Sequence, residues 1–205
     1  KLYKKTDREI YLSKTKSACR NADKIIAISE QTKRDLIEFL NIDKRKIEVV
    51  YQDCHPVFAE QVSLEKIQEL KSKYELPSEF LLCLGTMEFR KNALAILKAM
   101  LQLPKNIKLV LAGKPTEYVE VLKKFMAENE LEERVIFLHD VPFADLPALY
   151  QAAKIFVYPS IFEGFGIPIL EALRSKVAVI AATGSCLEEV GGLNSLYFHP
   201  KDHDA

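Results

Sequence analysis

The sequence predicts an α/β protein in which a fragment of one α/β domain precedes a doubly wound, Rossmann-like parallel sheet. Short runs of four or five apolar residues recur after residue 61. Such continuous runs are expected of strands that are covered on both faces. Helical patterns lie between these runs, and strand alternating with helix is typical of parallel sheets with helical crossovers.

The first fifty residues predict the order helix, strand, helix, strand. The predicted elements are a surface helix at Tyr3–Arg20, a strand at Lys24–Ile28, a helix after Ser29, and a strand at Ile47–Tyr51. Ser29 is the expected N-cap, because its hydroxyl can accept from an N–H of the first turn. We assign residues 1–51 to the end of a separate domain.

A break in this pattern follows at residues 52–61. Asp53, Cys54, His55 and Pro56 are typical of neither helix nor strand, so we predict a linker there. The remaining residues, 62–205, form the predicted main domain.

Strands and helices alternate through this main domain. The predicted strands are Phe80–Leu84, Lys108–Ala112, Val135–Leu138, Ile155–Tyr158, Val177–Ala181 and Ser195–Phe198. The predicted helices are Ala93–Leu103, Glu117–Asn129, Leu146–Ala153, Pro168–Ser175 and Cys186–Val190.

Composition excludes some classes of function. Twenty-nine basic and 29 acidic residues give zero formal net charge, which argues against a broad nucleic-acid surface. The four cysteines form no CxxC pair, and neither they nor the histidines have the spacing of metal ligands. We therefore assign no metal and expect a reduced, cytoplasmic protein. No apolar run approaches the roughly 20 residues of a membrane span, and peripheral contact with the inner face of a membrane stays open.

Ligands of doubly wound sheets bind beyond the carboxyl ends of the strands, and the segment 85–92 follows one of them. Gly85 ends the strand, and Arg90, Lys91 and Asn92 open a helix. Free N–H groups, a positive helix end and two cations would suit a diphosphate. Basic loop residues are also commonly just solvated, so this segment alone leaves both interpretations open.

The segment 159–173 follows another strand and contains two carboxylates. Gly164 and Gly166 let backbone approach a ligand closely, and Pro168 suits position N1 of a helix. Glu163 precedes the helix and Glu171 lies about one turn into it. Carboxylates accept well from sugar and ribose hydroxyls. Glu171 sits in so apolar a helix that a partner is favoured over a solvated face.

A third segment, Thr183–Val190, could offer N–H groups of a turn at Gly184 and Ser185. An ordinary capped turn is an equally good interpretation.

Together these segments resemble the retaining GT-B glycosyltransferases known as glycosyltransferase group 1, over nearly the whole chain. Residues 163–171 (EGFGIPILE) look like the E-x7-E motif of that group, and residues 85–92 (GTMEFRKN) like its bacterial phosphate loop. Residues 22–29 are similar to the last strand and turn of the N-terminal domain, and residues 49–58 to the interdomain linker. Residues 62–205 then correspond to the C-terminal donor-binding domain without its last helices, and residues 1–51 to the end of the acceptor domain.

The resemblance implies a role for each motif residue. Arg90 and Lys91 would bind the donor diphosphate and help it leave, and Glu163 would hold the donor sugar; these three are the implied catalytic residues. Glu171 would bind the ribose hydroxyls. The other implied donor-binding residues are Gly85, Thr86, Val141, Phe143, Gly164, Phe165, Gly166, Ile167, Leu187 and Glu189. Some members carry Arg where this chain has Thr86. This chain therefore has one cation fewer in the loop, and Arg90 and Lys91 must neutralise more of the diphosphate charge.

The implied reaction moves a hexose from a nucleotide-diphosphate sugar to a glycan or lipid-linked acceptor with retention of configuration. GDP-mannose is the first expectation for the donor and UDP-glucose the second, with no metal or other cofactor. Because the acceptor pocket belongs largely to the N-terminal domain, we expect this chain alone to bind donor weakly and to transfer nothing. The alternatives are a non-catalytic nucleotide-sugar-binding module, or an epimerase or phosphorylase of similar fold; the sequence shows no pyridoxal-lysine context for a phosphorylase.

Overall fold

The computed structural model describes residues 4–202. The chain divides into two compact units, Lys1–Gln52 and Asp53–Ala205. Tyr3, the predicted start of the first helix, lies outside the described residues.

The first unit contains a pair of parallel strands and two helices. Its elements are α1 (Lys5–Asn21), β1 (Ile25–Ala27), α2 (Glu30–Leu40) and β2 (Ile47–Val49). Ile25 pairs with Ile47, and the small core gathers around Ala27 and Ile47. The N-cap prediction is confirmed, because the Ser29 side chain accepts from the Thr32 N–H at 2.9 Å.

The predicted linker packs mostly inside the second unit. A short 3₁₀ turn at Pro56–Ala59 buries the Phe58 ring completely. The Ser175 hydroxyl donates to the Phe58 carbonyl at 3.2 Å, and the Gln151 amide donates to the Glu60 carbonyl at 2.8 Å. Residues 53–60 are therefore an integral part of the second unit, because a buried aromatic ring fixes them there, and the predicted limits of the linker need this correction.

The second unit alternates helices and strands as predicted, with one additional helix. Its helices are α3 (Leu64–Lys73), α4 (Ala93–Ala99), α5 (Tyr118–Glu128), α6 (Leu146–Ala152), α7 (Ile167–Arg174) and α8 (Leu187–Gly191). Its strands are β3 (Leu81–Leu84), β4 (Leu109–Ala112), β5 (Val135–Leu138), β6 (Ile155–Tyr158), β7 (Ala178–Ala182) and β8 (Leu196–Phe198). Pro168 is the second residue of α7, so its predicted N1 position is wrong by one residue.

The six strands form one parallel sheet in the order β5-β4-β3-β6-β7-β8. Helices cover both of its faces, and all four residues of β4 are buried. Chain order runs outward from β3 to β5 and then resumes beside β3 with β6. The sheet thus has a topological switch point between β3 and β6, where open α/β sheets bind their ligands.

Candidate functional site

Two loops meet at this switch point. The loop after β3 contains residues 85–92, and the loop after β6 contains residues 159–166. The Ile161 N–H donates to the Arg90 carbonyl at 2.9 Å, and the Asn92 amide donates to the Pro159 carbonyl at 3.2 Å. These bonds hold the predicted phosphate loop and the predicted sugar loop side by side.

The backbone beneath the site is packed too closely for a side chain at Gly113. Gly113 adopts φ +146°, and a Cβ there would lie 2.1 Å from the Gly85 carbonyl oxygen. A Cβ on Gly85 (φ +142°) would lie 3.6 Å from the Lys91 Nζ atom. Gly113 therefore lets the backbone at the ends of β3 and β4 approach closely, and the Lys91 side chain lies next to Gly85.

One carboxylate oxygen, Glu163 Oε1, gathers the charged groups of the site. Lys91 Nζ and Arg90 Nη1 each lie 2.7 Å from it, and the Ser160 hydroxyl donates to it at 2.6 Å. Burial opposes ionisation of Glu163, but the hydrogen bonds from Lys91 and Ser160 outweigh it and hold the pKa of Glu163 below its ordinary 4.5. Glu163 is thus an ionised acceptor at neutral pH.

Tyr158, the last residue of β6, completes this arrangement. Lys91 Nζ donates to the Tyr158 hydroxyl at 2.6 Å, and that hydroxyl donates to Glu163 Oε1 at 3.1 Å. Lys91 Nζ also lies 4.8 Å from the centre of the Tyr158 ring. The sequence pattern predicts Tyr158 only as part of a strand. The available signal was its place as the last strand residue before the predicted sugar loop.

Both terminal nitrogens of the Arg90 guanidinium have acceptors. Its Nη2 lies 2.7 Å from Glu88 Oε1, and its Nη1 also donates to the Phe162 carbonyl at 2.7 Å. The positive charges of two cations and the negative charges of two carboxylates therefore cancel within the cluster. Each of the two predicted diphosphate ligands, Arg90 and Lys91, already has a carboxylate partner.

Glu171 lies apart from this cluster and has a partner of its own. The hydroxyl of Tyr150, a fully buried residue, donates to Glu171 Oε2 at 2.7 Å. Burial raises the pKa of Glu171 above its ordinary 4.5, with this hydrogen bond opposing the shift. The expectation that Glu171 has a partner is confirmed.

A row of aromatic rings runs beneath the two carboxylates. Neighbouring ring centres in the row Phe143, Phe58, Tyr150, Phe156 and Tyr158 are 5.2–5.7 Å apart. The loop that contains the implied donor-binding residues Val141 and Phe143 thus connects through this row to both tyrosines that hold carboxylates. Phe58 lies in the segment that was predicted to be a linker.

The predicted sugar loop is fixed from below by Cys186. Its thiol lies 2.8 Å from the Phe165 carbonyl oxygen and 3.2 Å from that of Glu163. A trans peptide directs its N–H opposite to its C=O, so these contacts turn the N–H groups of Gly164 and Gly166 away from Cys186. A Cβ on Gly166 would lie 2.9 Å from Leu187 Cδ2, which places the buried Leu187 side chain against the loop.

The remaining predicted residues differ in exposure. Thr86 and Phe143 are exposed, and Val141, Ile167 and Glu189 are half-buried. Within residues 4–202, no group of three or more His, Cys, Asp or Glu side chains is placed to hold a metal ion. None of the helices in the described part of the chain has both the length and the apolar character to cross a membrane.

Comparison with known proteins identifies relatives of this chain. The family model described as glycosyl transferases group 1 matches residues 66–205. A serotype-specific mannosyltransferase, WbdA of Escherichia coli, is 36% identical over 202 residues, which cover 95% of this chain and 25% of that protein. O-antigen chain mannosyltransferase B of Escherichia coli is 34% identical over 209 residues, which cover 99% of this chain and 55% of that protein. The chain therefore spans only about a quarter to a half of the length of these relatives.

Solved structures share the fold. HepE of Anabaena, solved in complex with UDP and glucose, superposes with a TM-score of 0.82 at 24% identity, over 91% of this chain and 52% of that one. Sucrose-phosphate synthase of Thermosynechococcus elongatus superposes with a TM-score of 0.83 at 24% identity, over 96% of this chain and 50% of that one. The family match covers most of the chain and includes the whole cluster around Glu163, so this protein belongs to the group 1 glycosyltransferases, and it shares the GT-B fold of these structures over about half of their length.

Proposed function

We propose that this chain supplies the donor-binding half of an enzyme that moves a hexose from a nucleotide-diphosphate sugar to a glycan or lipid-linked acceptor with retention of configuration. The observation that carries the proposal is the convergence of Arg90 and Lys91 on Glu163 Oε1, at the switch point of the sheet. Two cations and an ionised carboxylate there match the two chemically distinct parts of such a donor, its diphosphate and its sugar hydroxyls.

The leaving group explains why cations are needed. When the bond between the sugar C1 and the diphosphate oxygen breaks, negative charge grows on that oxygen. Cations that are already fixed in place stabilise this charge without reorganising at the moment of reaction. Lys91 and Arg90 are fixed in this way by Glu163, Glu88 and the Phe162 carbonyl.

Glu163 has a second oxygen available for the sugar. Its hydrogen-bond donors within residues 4–202 all bind Oε1. An ionised carboxylate oxygen accepts strongly from a hydroxyl. We assign Oε2 to a donor-sugar hydroxyl, and the backbone of residues 164–166 to the same sugar.

The relatives favour mannose as the sugar. Both Escherichia coli proteins are mannosyltransferases by name, whereas HepE was solved with UDP and glucose. We therefore expect GDP-mannose as the donor, with UDP-glucose second.

The test is a comparison of nucleotides and donors with the full-length protein. In calorimetric titration we expect GDP to bind at least tenfold more tightly than UDP or ADP. Incubation with GDP-mannose and a lipid-linked or glycan acceptor should add one hexose, detected by mass spectrometry. Nucleotide binding without transfer to any acceptor tested would favour a non-catalytic binding module, and tighter binding of UDP would overturn the choice of mannose donor.

Donor binding should also weaken at acid pH because of Glu171. Ribose hydroxyls donate to the ionised carboxylate, so protonation of Glu171 must oppose binding. Because burial raises its pKa above 4.5, the loss begins at a higher pH than an ordinary glutamate would give. Below that pKa we expect affinity for the nucleoside diphosphate to fall by about tenfold per pH unit relative to Glu171→Gln.

The measurement is calorimetry with both proteins from pH 7.5 downwards. The phosphates of the nucleotide titrate equally in both experiments, so the ratio of the two affinities isolates Glu171. Parallel pH profiles for the wild type and Glu171→Gln would exclude the ribose role.

A further inference from the structure

Tyr158 joins Lys91 and Glu163 through a single hydroxyl. We infer that Tyr158 is a positioning residue, whose hydroxyl fixes the direction in which the Lys91 ammonium presents its remaining N–H to the donor diphosphate. This inference rests on the proposed function, since it names what that function requires beneath the diphosphate site.

The directions of the hydrogen bonds follow from the chemistry of the groups. Lys91 can only donate, so the Tyr158 oxygen accepts from it, at 2.6 Å. The single hydroxyl proton is then available for Glu163 Oε1, at 3.1 Å. The ammonium has three N–H groups, and two of them bind Tyr158 and Glu163. Two fixed donors of a tetrahedral nitrogen also fix the direction of the third.

Tyr158 is the rigid member of this triangle. It ends β6, pairs across the sheet with Ala181 and is 1% exposed. Its ring stacks on Phe156 with centres 5.7 Å apart. Lys91 and Glu163 are both on loops, and lysine loses much rotamer entropy when it is ordered. A hydroxyl attached to the sheet therefore supplies the fixed point from which the two loop residues take their geometry.

A purely structural role for Tyr158 is the competing explanation, and a double-mutant cycle separates the two. If the hydroxyl acts through Lys91, its removal should matter only while Lys91 is present. Tyr150 offers a matched control. It is also a fully buried tyrosine of the same aromatic row with its hydroxyl on a carboxylate, but that carboxylate is Glu171.

The experiment measures the Kd of GDP and of UDP for the full-length protein by calorimetry. The variants are Tyr158→Phe, Lys91→Met and the double variant, with Tyr150→Phe tested in the wild-type and Lys91→Met backgrounds. We expect Tyr158→Phe to weaken binding about tenfold in the wild type and less than twofold when Lys91 is already methionine. Tyr150→Phe should weaken binding by the same factor in both backgrounds. An equal factor for Tyr158→Phe in both backgrounds, or no weakening at all, would overturn the inference.

A second measurement is independent of nucleotide binding. Acylation of Lys91 by an amine-reactive reagent, followed by mass spectrometry below the melting temperature of each variant, reports how firmly the amine is held. Tyr158→Phe should increase the acylation rate several-fold and Tyr150→Phe should leave it unchanged. If the wild type binds neither nucleotide, the proposed function fails, and the acylation rates alone decide the role of Tyr158; an unchanged rate in Tyr158→Phe rejects it.

Discussion

Replacing Lys91 with alanine should lower the rate of sugar transfer by the full-length protein by about 10²–10³-fold, the loss typical when one fixed charge-stabilising donor is removed. The side chain is 16% exposed and lies 2.7 Å from Glu163 Oε1, and we expect no other cation to replace it. Arg90 cannot do so because Glu88, Glu163 and the Phe162 carbonyl already hold its guanidinium. We expect the larger part of the loss in kcat, because the charge on the leaving oxygen grows as the bond breaks.

Lys123→Ala is the matched control for this substitution. Lys123 lies on α5 in an exposed pair with Glu120, and such pairs contribute little. Steady-state kinetics with purified donor and acceptor should show no change for Lys123→Ala. A kcat for Lys91→Ala within fivefold of the wild type would remove Lys91 from the catalytic residues.

Replacing Gly113 with alanine should destabilise the protein by about 3–5 kcal/mol, which combines backbone strain at a glycine-only conformation with overpacking. The new Cβ would lie 2.1 Å from the Gly85 carbonyl oxygen. Backbone of two adjacent strand ends has to separate to relieve this overlap. The movement would displace Gly85 from beneath Lys91, so the nucleotide site should be lost as well.

Gly192→Ala separates the cost of backbone strain from the cost of overpacking. Gly192 also has a positive φ, +58°, but a Cβ there meets no atom within 4 Å. Strain alone should cost about 1–3 kcal/mol at this position. Denaturant unfolding of both variants measures the difference, and equal free energies of unfolding would mean that the close approach to Gly85 does not matter.

The strands of the sheet were predictable from local sequence. The predicted runs at Val135–Leu138 and Ile155–Tyr158 match β5 and β6 residue for residue. The other strands differ only at their ends. A buried parallel strand needs apolar residues on both faces, and few other elements of four or five residues have that pattern.

Helices were less predictable where their apolar face was narrow. The sequence interpretation missed α3, which begins after a Ser63 N-cap and buries only Leu70. The helix predicted to reach Leu103 ends at Ala99. Pro104 disfavours helical backbone at the preceding residue, and Leu101 and Leu103 lie exposed in the turn that follows.

Local sequence was enough to predict the order of the strands, the family resemblance and the residue types at the sheet edge, because periodicity and short motifs are local properties. Arg90, Lys91, Glu163 and Glu171 were all identified in this way. The tertiary packing brings Arg90 and Lys91 together on one oxygen of Glu163, and sets Tyr158 and Tyr150 each against one of the carboxylates. The same packing places Phe58 in the core of the second unit. Most of these contacts join residues far apart in the chain, and they follow from strand order and crossover packing, which no local pattern specifies.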